Sequence, residues 1–175
     1  MIDKLQKIKA FIFDIDGVLT DGSVLADLNG EFYRSFNEKD LFAIRLASIN
    51  GYKLGVITGG GSQCICKGLA RCGIKEDDIY KRSRNKLKDF ISFCEKYCLE
   101  HDQVMYFGDD LPDREVIANC GIGVCPHDGC DDIKAIADYT SNAPGGKGCV
   151  RELIEKTLKV HGSWIYDQQL YSTHF

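Results

Sequence analysis

The stretch that decides the fold runs Phe11-Ile12-Phe13-Asp14-Ile15-Asp16-Gly17-Val18-Leu19-Thr20. Its apolar start predicts a β-strand that leads into Asp14, and Gly17 then allows the backbone to turn. In extended structure the carboxylates of Asp14 and Asp16 lie on the same face, because the strand period is two residues. Two carboxylates so close repel each other unless a cation lies between them or one holds a proton. The pair therefore indicates a chemical site, with a turn carrying two solvated acids as the alternative.

Two later apolar runs also end in polar residues. Val56-Ile57-Thr58-Gly59 ends in a hydroxyl and a glycine, and residues 104–107 lead into the acid cluster Gly108-Asp109-Asp110-Leu111-Pro112-Asp113. Lys86 opens an amphipathic stretch between these two runs. An Asp pair, a threonine, a lysine and an acid cluster, mostly at strand ends, suit a phosphoryl group and a divalent metal.

The chemistry of these side chains assigns a role to each candidate. Asp14 can attack phosphorus, and Asp16 can pass a proton. Thr58 and Lys86 can hold the transferred oxygens, while Asp14 and Asp109 can hold Mg²⁺. Ligation by oxygen alone suits Mg²⁺ better than zinc.

These motifs resemble those of haloacid dehalogenase-superfamily phosphatases. The matching positions, in chain order, are residues 14–18, Thr58, Lys86 and residues 108–113. Four more segments are similar to the small capless branch typified by 3-deoxy-D-manno-octulosonate 8-phosphate phosphatase. They are Leu19-Thr20-Asp21-Gly22, Asn29-Gly30-Glu31, Phe36-Asn37-Glu38-Lys39-Asp40 and Gly145-Gly146-Lys147-Gly148-Cys149-Val150-Arg151-Glu152. The resemblance covers residues 8–164.

The resemblance implies a Rossmann-like three-layer fold with a central parallel sheet, a β-hairpin flap over residues 18–37 and no separate cap. It implies an aspartyl-phosphate at Asp14 and a Mg²⁺ ion held by Asp14, Asp109 and the backbone carbonyl of Asp16. The positions that match the family's phosphate contacts are Thr58, Gly59 and Lys86. The resemblance also implies that Asp113 either binds a water molecule on the metal or orients Lys86. Asp110 is the alternative to Asp109 and to Asp113 for these roles.

The same resemblance predicts the substrate and the assembly. It implies a sugar-acid phosphate, foremost 3-deoxy-D-manno-octulosonate 8-phosphate of lipopolysaccharide precursor biosynthesis, with a nonulosonate 9-phosphate (KDN or N-acylneuraminate) as the alternative. It also implies a homotetramer whose subunits share active sites. The candidate substrate contacts are Lys67, Arg71, Lys147 and Arg151. The chain departs from its relatives at Asp40-Leu41-Phe42 and in having few cations after Gly59.

Other functional classes fit the same residues less well. Receiver domains also combine an acidic Mg²⁺ pocket with a threonine and a lysine, but they carry the phosphorylated Asp on a later strand. A non-catalytic assembly domain does not need an intact motif set. The Gly59-x-Gly61 fragment of a dinucleotide fingerprint lacks its third glycine, since Cys64 stands there. The Walker spacing fails around residues 145–148, which we interpret as a mobile loop.

Apolar runs of strand length alternate with amphipathic stretches of helix length, which predicts an α/β fold with a parallel sheet in a single domain, residues 1–175. Predicted strands cover residues 9–14, 53–58, 103–107 and 121–125, with shorter ones at 78–80 and 138–140. Predicted helices cover residues 40–50, 62–72, 84–98, 112–119, 130–136 and 147–161. Asn29-Gly30 between β-type runs predicts a hairpin. The aromatic tail, residues 162–175, lacks clear periodicity and is predicted either to dock on a surface or to be disordered.

Composition predicts a cytoplasmic protein that binds neither nucleic acid nor membrane. The 175 residues are 44% hydrophobic and 27% charged, with a net charge of −4, so no basic footprint for nucleic acid is present. No leader peptide and no membrane-length apolar run is visible. Nine cysteines, an odd number without an export signal, indicate reduced thiols. Zinc ligation by Cys64-Ile65-Cys66 or the Cys94 and Cys98 pair is the less favoured alternative.

Overall fold

The computed structural model describes residues 1–30, 32–61 and 63–175, except for the side chains of residues 63 and 64. Six strands form one parallel sheet in the order β5-β4-β1-β6-β7-β8, and β2 pairs with β3 in an antiparallel hairpin. The strands are β1 (Ala10–Phe13), β2 (Leu25–Ala26), β3 (Phe32–Tyr33), β4 (Lys53–Ile57), β5 (Ile79–Tyr80), β6 (Val104–Phe107), β7 (Ile122–Cys125) and β8 (Tyr139–Thr140). The predicted α/β fold with a parallel sheet is therefore confirmed.

The described residues form eight α-helices. They are α1 (Ile2–Lys7), α2 (Glu38–Ile49), α3 (Gln63–Ala70), α4 (Lys86–Tyr97), α5 (Arg114–Ile117), α6 (Asp131–Lys134), α7 (Cys149–Val160) and α8 (Gln168–His174). The helix predicted at residues 112–119 is instead a 3-10 turn, Leu111–Asp113, followed by the short α5. The sequence pattern predicts neither α1 nor α8. Helix α1 buries only Leu5 and α8 buries no residue, so neither has the repeating apolar face from which a helix is predicted. None of the described helices is both long and apolar enough to cross a membrane.

Strand β1 lies at the centre of the sheet and is buried on both faces, as parallel strands between helix layers are. Phe11 and Phe13 pack in one core cluster with residues of α2 and α7. Ala10 and Ile12 point to the opposite face, where they pack with Phe90 of α4. At its carboxyl end β1 is in register with both neighbouring strands, so the residues that follow β1, β4 and β6 emerge at nearly the same level.

The predicted hairpin is present and projects as a short flap made of β2, β3 and the turn between them. The turn closes through a hydrogen bond from Gly30 N to Asp27 O (3.1 Å), and Gly30 adopts a positive φ of 80°. Such a φ favours glycine, which explains the Asn-Gly signal in the sequence. Glu31 of the family-like segment, and Ser62 after the glycines that follow Thr58, lie outside the described residues.

The aromatic tail docks on its own chain. The ring of Tyr171 in α8 lies 5.6 Å from that of Phe42 in α2, measured between centroids, and Tyr166 lies 5.8 Å from Phe42. Trp164 packs under the guanidinium of Arg151, 5.1 Å from ring centroid to Cζ. Of the two expectations for this segment, surface docking is therefore the correct one.

Candidate active site

Three central strands direct the residues that follow them into one cleft at the carboxyl edge of the sheet. Asp14 follows β1, Thr58 follows β4, and Asp109 comes just after β6. Open α/β sheets bind ligands at this edge, where the chain leaves neighbouring strands in opposite directions. The cleft has a volume of about 460 Å³, and Lys86, at the start of α4, also lines it. The sheet register thus brings together side chains from four separate parts of the sequence.

Asp14 is held by two donors at the base of this cleft and is only 8% exposed. Its Oδ1 accepts a hydrogen bond from Ile15 N (2.7 Å), and its Oδ2 lies 2.7 Å from Lys86 Nζ. Burial and the charge of Asp113 raise the pKa of Asp14 to about 7, although Lys86 and the Ile15 N–H act in the opposite direction. The carboxylate is therefore fixed in orientation but destabilised in its charged form.

Asp113 and Lys86 form a buried ion pair beside Asp14. The Asp113 side chain is fully buried, and its Oδ1 accepts from Lys86 Nζ (2.8 Å) and from the Tyr106 hydroxyl (2.6 Å). Its Oδ2 accepts from the backbone N–H of Asp109 (3.2 Å). Burial alone lowers the pKa of Lys86, but the carboxylates of Asp14 and Asp113 outweigh it and raise that pKa. Asp113 is therefore placed to orient Lys86, which is one of the two roles that the sequence left open, and its role stays a prediction.

Asp110 has a different position from Asp113. Its side chain accepts a hydrogen bond from Leu111 N (2.8 Å) and caps the 3-10 turn Leu111–Asp113. The residue is exposed at the edge of the cleft. The turn is what separates the two acids, because it directs Asp113 inward and Asp110 outward.

The carboxylates of the site fit a divalent metal. Oxygens of Asp14, Asp109 and Asp113 lie within 4.8 Å of one another. Burial and the charges of Asp14 and Asp113 raise the pKa of Asp109 to about 7, although Lys86 acts in the opposite direction. The single positive charge of Lys86 therefore does not balance the three carboxylates. Asp113 has no exposed surface, whereas Asp14 is 8% exposed and Asp109 is partly exposed, so Asp14 and Asp109 are the candidate carboxylate ligands. A donor set made only of oxygens suits Mg²⁺.

Gly17 makes room for Asp109. A Cβ on Gly17 would lie 2.0 Å from Asp109 Oδ2, and its φ of +85° is a conformation that other residues rarely adopt. The glycine of the Asp-x-Asp-Gly motif thus has two physical reasons: the turn that it makes and the carboxylate that approaches it. The second reason cannot be read from the local sequence.

Thr58 is fixed by the loop that follows it. Its hydroxyl accepts from Gly60 N (3.1 Å), which leaves the hydroxyl hydrogen for an oxygen in the cleft. Its backbone carbonyl accepts from Ser83 N (2.9 Å). Gly59 and Ser83 also line the cleft. Among the described residues, the buried Oγ of Ser83 finds no hydrogen-bond partner, so Ser83 is an additional candidate that the sequence analysis missed.

Arg34 is a second residue that the sequence analysis missed. It follows β3 of the flap, and its side chain reaches back to Asp16. Nε lies 2.5 Å from Asp16 Oδ1 and Nη2 lies 3.0 Å from Oδ2, which is a bidentate pair. No motif marks this position, since only the fold of the flap brings residue 34 to residue 16.

Comparison with known proteins identifies the family. The model of the haloacid dehalogenase-like hydrolases matches residues 73–153. The 3-deoxy-D-manno-octulosonate 8-phosphate phosphatase of Escherichia coli (strain K12) is 34% identical over 162 residues, which cover 93% of this chain and 85% of that protein. The chain belongs to the haloacid dehalogenase-like hydrolases. The resemblance that the motifs indicated is thereby confirmed.

Two solved structures of such hydrolases superpose over nearly the whole chain. The 3-deoxy-D-manno-octulosonate 8-phosphate phosphatase of Moraxella catarrhalis, a complex with magnesium, phosphate and KDO, has a TM-score of 0.87 and 31% identity and covers 91% of this chain and 90% of that one. The cobalt-bound deoxy-D-mannose-octulosonate 8-phosphate phosphatase of Haemophilus influenzae has a TM-score of 0.88 and 30% identity, with coverage of 97% and 99%. The described part of this hydrolase shows no separate cap domain.

The glycine loop of this hydrolase, residues 145–148, is packed rather than free. A Cβ on Gly145 would lie 1.9 Å from Gly17 O, and Gly146 N donates to Val18 O (2.8 Å). The interpretation of this segment as a mobile loop is therefore wrong, because glycines allow its backbone to contact the loop after Asp16 directly. Asp40 of α2 also holds this loop. Its buried carboxylate accepts from Gly148 N (3.0 Å) and, in the first turn of α7, from Arg151 N (2.7 Å), so it caps that helix.

The four candidate substrate contacts lie in two parts of the chain, two on or just after α3 and two just before or at the start of α7. Lys147 pairs with Asp21 (3.3 Å), and the Arg151 side chain pairs with Glu155 (3.2 Å) besides packing on Trp164. Lys67 is exposed on α3, and Arg71 is exposed just after it. Among the described residues that line the catalytic cleft, none of these four cations is present. A role for them at the substrate stays a prediction.

Proposed function

We propose that this protein is a Mg²⁺-dependent phosphomonoesterase that converts 3-deoxy-D-manno-octulosonate 8-phosphate to the free sugar acid and phosphate. The observation that carries the proposal is the cleft in which Asp14, paired with Lys86, lies beside Asp109. The relative from Escherichia coli carries the same activity in its name, and the Moraxella catarrhalis protein was solved with magnesium, phosphate and KDO. This reaction belongs to the formation of lipopolysaccharide precursors.

In the first step an oxygen of Asp14 attacks the phosphorus atom. The bond from phosphorus to Asp14 forms, and the bond from phosphorus to the sugar oxygen breaks. Asp16 gives its proton to that sugar oxygen, so the leaving group departs as an alcohol. Lys86, held by Asp113, keeps the attacking carboxylate in place and balances the charge of the phosphoryl oxygens.

In the second step water attacks the phosphorus atom of the aspartyl-phosphate. Asp16 takes a proton from the water, and the bond from phosphorus to Asp14 breaks. Phosphate leaves, and both aspartates return to their starting protonation states. The Thr58 hydroxyl, which accepts from Gly60 N, and the backbone N–H of Gly59 are the donors proposed to hold the phosphoryl oxygens.

Asp14 and Asp109, together with the backbone carbonyl of Asp16, are the groups that would hold the metal. Bound Mg²⁺ supplies positive charge that stabilises the transferring phosphoryl group. A nonulosonate 9-phosphate is not favoured as substrate, because the relatives reported above are octulosonate phosphatases. A purely structural or receiver-like module is not favoured either, since the full catalytic set is assembled in one cleft.

We expect the purified protein to release phosphate from 3-deoxy-D-manno-octulosonate 8-phosphate with Mg²⁺ and to stop in excess chelator. Ca²⁺ should support little activity, because its looser and higher coordination misaligns the reacting groups. Asp109→Ala should raise the Mg²⁺ requirement by more than the ~10- to 100-fold that loss of an outer-shell partner costs. The measurement is phosphate release against Mg²⁺ concentration.

The matched control is Asp131→Ala, which removes an exposed carboxylate from α6. It should leave the Mg²⁺ dependence unchanged. Equal rates with a nonulosonate 9-phosphate would contradict the substrate assignment. Full activity of the native protein in chelator would contradict the metal assignment.

The flap supports a proposed homotetramer with shared active sites. Leu25 and Phe32 of its strands are 71% and 55% exposed, and Leu28 at its tip is wholly exposed. Leu25 lies opposite Tyr33 on one face of the hairpin, and Phe32 lies on the other face. Exposed apolar side chains of this kind mark an interface, and a capless site otherwise stays open to water. The cytoplasm is the proposed location, because seven of the cysteines whose side chains are described are free thiols, at positions 72, 94, 98, 120, 125, 130 and 149.

Light scattering at low micromolar concentration is expected to give about four subunits, in closed symmetry. Leu25→Lys should shift the protein to a smaller species, since it places a charge on the flap surface. Ile91→Lys, at an exposed position on α4, is the control and should keep the assembly intact. A fully active monomer would contradict both the tetramer and the shared sites.

A further inference from the structure

Arg34 places a guanidinium of the flap directly on the residue proposed to transfer the proton. Both oxygens of Asp16 accept from it, at 2.5 and 3.0 Å. The arginine side chain is only 11% exposed, whereas that of Asp16 is 38% exposed. The pair is therefore a contact between the flap and the loop after β1.

This contact is incompatible with proton transfer from Asp16 to the leaving group. A general acid has to direct one carboxyl oxygen at the leaving group within hydrogen-bond distance. In the arrangement seen here both oxygens are engaged by Arg34 in a fork. Before the sugar oxygen can receive a proton, the fork has to open, and the freed Asp16 carboxylate has to take up a proton from the solvent, which it then gives to the leaving sugar oxygen.

The surroundings of Arg34 indicate what can open it. Its guanidinium lies beside the loop that follows Thr58, since a Cβ on Gly60 would be 3.9 Å from Nη2. Arg34 and Lys81 both line a narrow crevice that adjoins Asp16 and Thr58. An anionic group that extends from a phosphate held at Thr58 would meet two cations there. Exchange of one carboxylate for another on a guanidinium also conserves the two charge-assisted hydrogen bonds.

We infer that Arg34 is a specificity-determining residue that exchanges Asp16 for the carboxylate of the substrate, and so releases Asp16 for proton transfer only when a sugar acid is bound. The inference rests on the proposed function, because it requires a substrate that carries both a phosphate and a carboxylate. A neutral sugar phosphate has nothing to offer Arg34, so it must break the fork without compensation. Discrimination between acids and neutral sugars then arises from the flap.

The test compares 3-deoxy-D-manno-octulosonate 8-phosphate with its analogue in which the C1 carboxylate is reduced to an alcohol. For the native protein we expect kcat/KM to be roughly 10- to 100-fold higher for the acid. Arg34→Met should raise KM and lower kcat/KM for the acid by a similar factor. For the reduced analogue, the same variant should keep or increase kcat, since Asp16 is no longer held.

Arg34→Lys keeps the charge but cannot form the fork, so its preference for the acid should fall between those of the native protein and Arg34→Met. Arg114→Met, at an exposed position of α5, is the control and should retain the native preference. Both substrates are measured on one preparation, so the ratio does not depend on the fraction of protein that is folded.

Each outcome decides the question. A preference for the acid that is lost in Arg34→Met, with the reduced analogue unaffected or faster, supports the exchange. An equal loss on both substrates would make Arg34 a mere support for Asp16 and overturn the inference. A native protein that shows no preference overturns it as well. A native protein inactive on both substrates with Mg²⁺ would instead refute the proposed function itself.

Discussion

Asp14→Asn is expected to lower kcat by several powers of ten while the protein remains folded. A neutral amide cannot form the acyl-phosphate, and each lost power of ten corresponds to about 1.4 kcal/mol of transition-state free energy. The replacement is nearly isosteric. Its amide oxygen can still accept from Ile15 N, and Lys86 keeps its buried partner Asp113. The loss should therefore be one of chemistry and not of structure.

Steady-state phosphate release and thermal unfolding, measured on the same sample, check this expectation. Asp132→Asn makes the same chemical change at an exposed position of α6 and should retain native kcat. Mass spectrometry of the Asp14→Asn sample guards against deamidation back to aspartate. Near-native turnover in a sample free of such reversion would mean that Asp14 is not the nucleophile.

The parts of the site that follow strands could be predicted from the sequence. A parallel sheet brings the carboxyl ends of its strands to one edge, so an apolar run followed by Asp14, Thr58 or Asp109 suffices to predict a shared cleft. The motif order adds the chemistry. The predicted boundaries of the sheet strands differ from the observed ones by at most one residue at each end.

The contacts between distant segments could not be predicted in this way. The sequence presents Asp110 and Asp113 as equivalent acids, and only the 3-10 turn decides that Asp113 is buried against Lys86. The pair between Arg34 and Asp16 depends on how the flap folds back, which no local periodicity encodes. The packing of Gly145 on the loop at Gly17 likewise arises from tertiary structure. These are the interactions that orient the catalytic groups. The sequence therefore identified the reactive side chains better than the contacts that orient them.

Asp16→Ala is expected to lower kcat by ~10²- to 10⁴-fold on an alkyl phosphate, the usual worth of general acid–base help. The physical reason is that the sugar oxygen then leaves without a proton. A nitrophenyl phosphate should suffer less in the first step, because nitrophenolate is a stable anion that needs no proton. Comparison of the two substrates therefore isolates proton donation from any general damage to the site.

The position of Arg34 makes the choice of control variant important. Asp16→Ala leaves a mostly buried guanidinium without its carboxylate, which can disturb the flap by itself. Asp16→Asn keeps an oxygen that accepts from Arg34 but has no acidic proton to give, so it separates the two effects. If proton transfer is the role of Asp16, both variants lose the alkyl phosphate reaction to a similar extent. If Asp16 served only to anchor Arg34, Asp16→Asn would stay close to native on both substrates, and the proton would have to come from another group in the cleft.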